Sequence, residues 1–262
     1  MKLSYLYYKI IRGALRLNYP HAKTVYEEQP DAEPGVFVCN HSAIRGPVMM
    51  TLDFKRKHQT WTVSNALDSK RAANYAFHDV FFGNSRRCKW FWRIMSHVVA
   101  KGLPPLLYYS DTIPVYHNNS IVKTFKQSIK ALNEGEDLVI FAESPKRYSE
   151  YVCHLQPGFI DIARLYYRKS KKALKFYPVY LEKKNAVISV GKPIVYDPEQ
   201  PLDEQRERIA DYLRDNIDRL ARALPEHRPV PFLPERWYSA YGMYEDNAYS
   251  YWKMIDGSEE SN

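Results

Sequence analysis

Apolar residues recur along the chain with two different periods, and the way these alternate predicts the fold class. VFVCN at 36–40 is apolar almost throughout and reads as a buried strand, while WTVSNA at 61–66, DLVIFAE at 137–143, with a polar exit, and KFYPVYL at 175–181 read as further strands. DTIPVYH at 111–117 reads as a further strand, and AVISVGKPIVY at 186–196 as another strand or hairpin arm. The segments between them read as helices: 43–56, a stretch within 81–99, 120–132 closed by Gly135, and 158–168. The clearest helix is 202–224, where Ile209, Leu213, Ile217, Leu220 and Leu224 form one stripe ahead of Pro225. Residues 20–35 are polar, contain proline and read as a loop. Strands alternating with helices predict a single α/β domain over 21–225, with a central mixed sheet flanked by helices.

Both ends of the chain depart from this pattern. Residues 1–20 form an amphipathic helical pattern, with Leu3, Leu6, Tyr7, Ile10, Ala14 and Leu17 three and four apart and basic residues between them. Such a helix can lie on an anionic membrane or pack on the domain. Residues 226–262 are rich in proline and aromatics and are expected to pack across the domain as an extension ending in a frayed tail.

Composition narrows the function classes. Hydrophobic residues make up 45% and charged residues 26%, which argues against a disordered chain. Lys plus Arg is 38 against 30 for Asp plus Glu, and the net +8 favours anionic partners. Three cysteines without C-x-x-C spacing argue against a disulfide framework or a cysteine zinc site, and point to a reducing compartment. No run of 18 or more uncharged apolar residues is present, and Lys9, Arg12 and Arg16 interrupt any secretory-signal pattern at the start. The expected location is cytoplasmic, peripheral on the inner face of a membrane. The stretch at 81–93 sets Phe81, Phe82, Trp90, Phe91 and Trp92 among Arg and Lys, which suits a lipid interface. No nucleic-acid module accompanies it, so nucleic acid is not an expected partner. No hydrolase elbow, phosphate loop or zinc helix occurs, and no metal or cofactor is implied.

The sharpest local feature is VFVCNHSAIRGP, a buried strand that delivers Asn40 and His41 into a polar turn and then a helix. Strand exits are where open α/β sheets bind ligands, and histidine is the commonest general base near neutral pH. The order NHSAIRGP, DTIPVYH, VIFAESPKR, FYPVYL resembles the glycerolipid acyltransferase family, whose motifs run N-H-x-x-x-x-D-P, G-x-I-P-V-D-R, F-P-E-G-T-R-S and a short apolar run with a proline. NEGEDLVIF, QPGFIDIAR and VGKPI fit the intervening positions, and the likeness covers roughly residues 30 to 220.

The resemblance implies a glycerol-phosphate acyltransferase-like fold. It also implies that His41 takes a proton from a lipid hydroxyl, which then attacks the thioester of an acyl-CoA or acyl carrier protein. The acceptor it implies is a lysophospholipid or a related lipid alcohol. Three departures qualify it. The motif aspartate that would orient the histidine is Gly46; Asp53 is about two helical turns further on, too far to serve, so Asp111 and Glu143 become the candidate acids, with a backbone carbonyl as a further option. The motif arginine that would bind the acceptor phosphate is His117, and the third motif reads FAESPKR. Substrate binding is therefore expected from Arg45, His117, Glu143, Ser144, Lys146 and Arg147. Gly46→Asp is expected to raise activity if the cleft keeps the family geometry and no other group orients His41, and to leave it flat or lower it if another acid already does so. The alternative reading is a catalytically impaired relative that binds lipid or an acyl carrier.

Overall fold

The computed structural model describes residues 3–81, 86–116, 120–230 and 232. In chain order the elements are α1 (Leu3–Asn18), β1 (Lys23–Tyr26), β2 (Val36–Cys39), α2 (Arg45–Asp53), β3 (His58–Val63), α3 (Ser64–Leu67) and α4 (Ala72–Tyr75). A π-helical turn (Ala76–Val80), α5 (Lys89–Ala100), α6 (Leu103–Tyr108), β4 (Thr112–Val115), α7 (Ile121–Asn133), β5 (Asp137–Ile140), β6 (Glu143–Arg147) and β7 (Cys153–Leu155) follow. A 3-10 turn (Pro157–Ile160), α8 (Asp161–Ser170), β8 (Lys175–Glu182), β9 (Val187–Val190), β10 (Ile194–Val195) and α9 (Leu202–Arg222) complete it.

The main sheet has the order β1-β9-β8-β2-β5-β3-β4, with β10 also paired to β8. The strands β8, β2, β5, β3 and β4 are mutually parallel, and β9 and β10 run antiparallel to β8. The protein is thus an α/β fold with a mixed central sheet flanked by helices. Its central strands are uninterrupted apolar runs because both faces are covered. Val36 and Val38 of β2 enter the core under α7, α8 and α9, while Phe37 and Cys39 enter the core on the α2 side. Pro178 is tolerated inside β8 because it falls between the two antiparallel registers, Phe176↔Ile194 and Val179↔Val190. In α9 the stripe Ile209, Leu213, Ile217 and Leu220 is buried.

Three expectations change. The region read as a loop contains β1, a short edge strand that among the described residues pairs only with β9. The strand expected at 61–66 begins at His58 and ends at Val63, where the chain turns into α3. Glu143, expected to end β5, opens a separate hairpin of β6 and β7. The N-terminal helix packs on the domain: Tyr8 and Tyr19 are buried, and Arg16 bonds Asp53 at 2.8 Å. Its other face leaves Leu6, Ile10 and Leu17 exposed.

The parallel strands all point their carboxyl ends to one edge. Between β3 and β4 the described residues form α3 through α6 and the π-helical turn.

Candidate active site

Asn40 closes β2 by using its side chain as a backbone substitute. Its buried Oδ1 accepts from the Leu181 N–H at 2.7 Å, carrying the pairing with β8 past the end of the strand. His41 therefore leaves the sheet from a fixed point. Ser42 and Ala43 then adopt left-handed backbone, at φ 47° and 51°, a conformation that costs a non-glycine residue roughly 1–2 kcal/mol. That turn brings the Ala43 carbonyl to 2.5 Å from His41 Nδ1. A carbonyl only accepts, so Nδ1 carries the proton and Nε2 presents its lone pair. The tautomer wanted of a general base is set by main chain, without a carboxylate.

The imidazole packs against Phe141 and Phe232, with ring centroids 5.3 and 5.0 Å apart. Burial among these rings lowers the His41 pKa below 6.5, opposed by the charge of Asp79 and by the Ala43 carbonyl. The ring is consequently neutral at pH 7.

Glu143 is buried, and its carboxylate accepts from two backbone N–H groups, that of His41 and that of Cys153 (2.8 Å). Burial pushes its pKa up to about 7, and the two N–H donors hold it from rising further. Glu143 thus positions the main chain of His41; it does not reach the imidazole to orient it. Asp111 cannot orient it either. It precedes β4, at the opposite end of the parallel strands, where its carbonyl accepts from Thr60 N–H at 3.0 Å and its charge acts on Lys57. Asp53 is held by Arg16.

His41 lines a cavity of about 400 Å³ whose walls are chiefly apolar, among them Trp61, Val63, Leu107, Phe125 and Phe159. Its polar members are His41, Thr60, Thr62, Tyr75, Asp79, Glu143 and Gln156. Two buried atoms in this set, Thr60 Oγ1 and Gln156 Nε2, have no hydrogen-bond partner among the described residues.

Arg45, Ser144, Lys146 and Arg147 do not line the cavity. Arg45 is exposed and acts on Tyr19, Ser144 is buried in β6, and Lys146 and Arg147 are exposed at the far end of that strand. His117 lies outside the described residues. Sequence reasoning missed Tyr75, Asp79 and Gln156. A signal for the last was present, since Gln156 opens the QPGF segment after β7.

Gly46 is buried against the strand exit. A Cβ there would lie 2.6 Å from the His41 carbonyl and 2.9 Å from that of Asn40. An aspartate at this position therefore does not fit this backbone. The expected gain from Gly46→Asp is replaced by an expected loss.

No family model matches the chain, and no curated protein does. Among solved structures the chain is similar to the 1-acyl-sn-glycerophosphate (LPA) acyltransferase PlsC from Thermotoga maritima, at 12% identity and a TM-score of 0.46, over 85% of this chain and 80% of that one. Among the described residues no helix is long and apolar enough to cross a membrane, and no cluster of His, Cys, Asp and Glu could hold a metal ion.

Proposed function

We propose that the protein transfers a fatty acyl chain from a thioester, acyl-CoA or acyl carrier protein, to a hydroxyl of a lysophospholipid or related lipid. The observation that carries this reading is the His41 tautomer: Nδ1–H bound to the Ala43 carbonyl, with a basic Nε2 on a residue lining an apolar cavity. The order of the four sequence motifs supports it. In the proposed reaction Nε2 takes the acceptor's hydroxyl proton and the oxygen attacks the thioester carbonyl. The tetrahedral intermediate then collapses, the C–S bond breaks, and the thiolate takes the proton back from the imidazolium. Gln156 Nε2 is the donor available to the carbonyl oxygen, and the apolar walls suit the acyl chain.

The test is release of free thiol from a panel of acyl-CoA donors on addition of lysophospholipids differing in headgroup. Thiol release that requires an acceptor supports the reading. Saturable binding of acyl-CoA or lysophospholipid without thiol release, across donors and acceptors, would replace it with a binding protein.

A membrane is the natural source of such an acceptor. In α5 the exposed residues Trp90, Ile94 and Val98 are four apart and form one stripe, with Phe91 beside it, while Ser96 and Ala100 face inward. Neither α1 nor α5 contains an acidic residue. An apolar stripe on basic helices suits peripheral binding to an anionic surface, weakened by salt because exposed charges are screened over about 8 Å at physiological ionic strength. The protein is expected to float with anionic vesicles at low salt. Trp90→Ala with Ile94→Ala should weaken flotation more than about tenfold, since each side chain contributes roughly 1.5 kcal/mol or more when buried. Deleting residues 1–20 is a poorer test, because Tyr8 and Tyr19 belong to the folded core.

A further inference from the structure

Proton transfer to His41 puts a positive charge into a cavity whose walls are chiefly apolar. Burial already disfavours that charge, and the Ala43 carbonyl supplies only a dipole to offset it. Glu143 faces the His41 main chain with both oxygens engaged by N–H donors, and its raised pKa leaves it partly neutral near pH 7. Another acid is therefore needed on the cavity wall.

The π-helical turn Ala76–Val80 supplies one. The Phe81 N–H reaches back five residues to the Ala76 carbonyl at 2.9 Å, and the widened turn sets Asp79 on the cavity wall that His41 also lines. Such turns recur at functional sites because the extra residue re-aims side chains. One helical turn earlier Tyr75, on the same wall, bonds its hydroxyl to the Asp79 carboxylate and so helps fix it in place. His78, beside Asp79, is held down at about pH 4 by burial and by Arg93 on α5, and brings no compensating charge of its own at neutral pH.

We propose that Asp79 is the counter-charge for protonated His41, a positioning acid delivered from the helical insertion between β3 and β4 rather than from the helix that follows His41. Tyr75 anchors it. This assignment rests on the acyl-transfer reading for its role in turnover, but its electrostatic part can be measured without turnover.

The experiment is a ¹⁵N NMR titration of the His41 ring in the full chain, alongside thiol-release kinetics. Asp79→Asn removes the charge at constant size and should lower the His41 midpoint by about one unit, whereas Asp79→Glu should hold it near the parent value. The sign is diagnostic. A variant that merely loosens the cavity would admit water and raise the midpoint toward 6.5. kcat should fall about tenfold in Asp79→Asn, with KM little changed and the acid limb of the pH profile moved to lower pH. If Asp79→Asn does not fold, Asp79→Ser removes the same charge. An unchanged or raised midpoint overturns the assignment. A lowered midpoint in a chain that turns over no thioester leaves the electrostatic pair standing and removes the acyl-transfer reading instead.

Discussion

His41→Ala is expected to reduce acyl transfer by about 10²- to 10⁴-fold while the fold survives. The activity loss follows from removing the Nε2 lone pair on the cavity wall; among the described residues no second histidine lines that cavity. Survival of the fold follows from how little the imidazole holds together. Its ring bonds main-chain carbonyls of its own turn, that of Ala43 and its own, and it packs against Phe141 and Phe232. Losing those contacts should cost about 1–2 kcal/mol. The strand exit is built instead from main chain, through the Asn40 clamp on Leu181 and the Glu143 carboxylate on the His41 N–H, and alanine keeps both. The pH dependence has a definite sign. The folded-state pKa of His41 lies below 6.5, so the base form prevails at pH 7, and turnover should be lost as pH drops through that lowered value. Thiol release across pH, with urea denaturation of parent and variant, measures both halves. Unchanged turnover in His41→Ala would remove His41 from the mechanism.

The parts readable in the sequence are those where side chains carry the physics. VFVC and DLVI declare central strands because both faces of the sheet are buried, and the stripe from Ile209 to Leu220 declares α9 because one face of that helix packs on β8. Strand β1 was not readable: KTVY is four residues long, half exposed, and owes its conformation to pairing with β9. Nor was β6, since ESPKR holds proline and charge where a strand pattern would want neither; its pairing to Cys153–Leu155 makes it a strand. The site divides in the same way. His41 was visible as an imidazole at a strand exit. What sets its tautomer was not, because the Ala43 carbonyl is main chain and bears no residue signature, and the left-handed turn that aims it uses Ser42 and Ala43 where glycine would have advertised it. Asp79 was hidden for a related reason. It belongs to a π-helical turn thirty-eight residues away, in a segment whose apolar spacing matches neither strand nor α-helix.

Gly46→Asp, the substitution that the motif pattern would prescribe, is expected to destabilise the protein by about 3 kcal/mol or more, and to lower activity with it. The helix α2 enters so close to the end of β2 that the Gly46 N–H bonds the His41 carbonyl at 3.3 Å. Any side chain at 46 starts with a Cβ pressed into two carbonyl oxygens and 3.1 Å from the Phe141 ring. Those oxygens cannot step aside cheaply. The Asn40 side chain is clamped to Leu181, and its N–H still pairs with the Val179 carbonyl. Gly46→Ala isolates this steric part and should cost about 1–3 kcal/mol. The carboxylate adds a second cost, because it would arrive buried and facing carbonyl oxygens, which donate nothing to it. At this chain length each kcal/mol lowers Tm by roughly 2–4 °C, so the two variants should separate clearly in a thermal melt. The comparison also tests what orients the base. If the Ala43 carbonyl does so, neither variant gains activity, and both lose it in proportion to the displaced strand exit. A Gly46→Asp protein that is stable and faster than its parent would mean that the turn at 42–45 can rebuild to admit an acid, and that the main-chain carbonyl is dispensable.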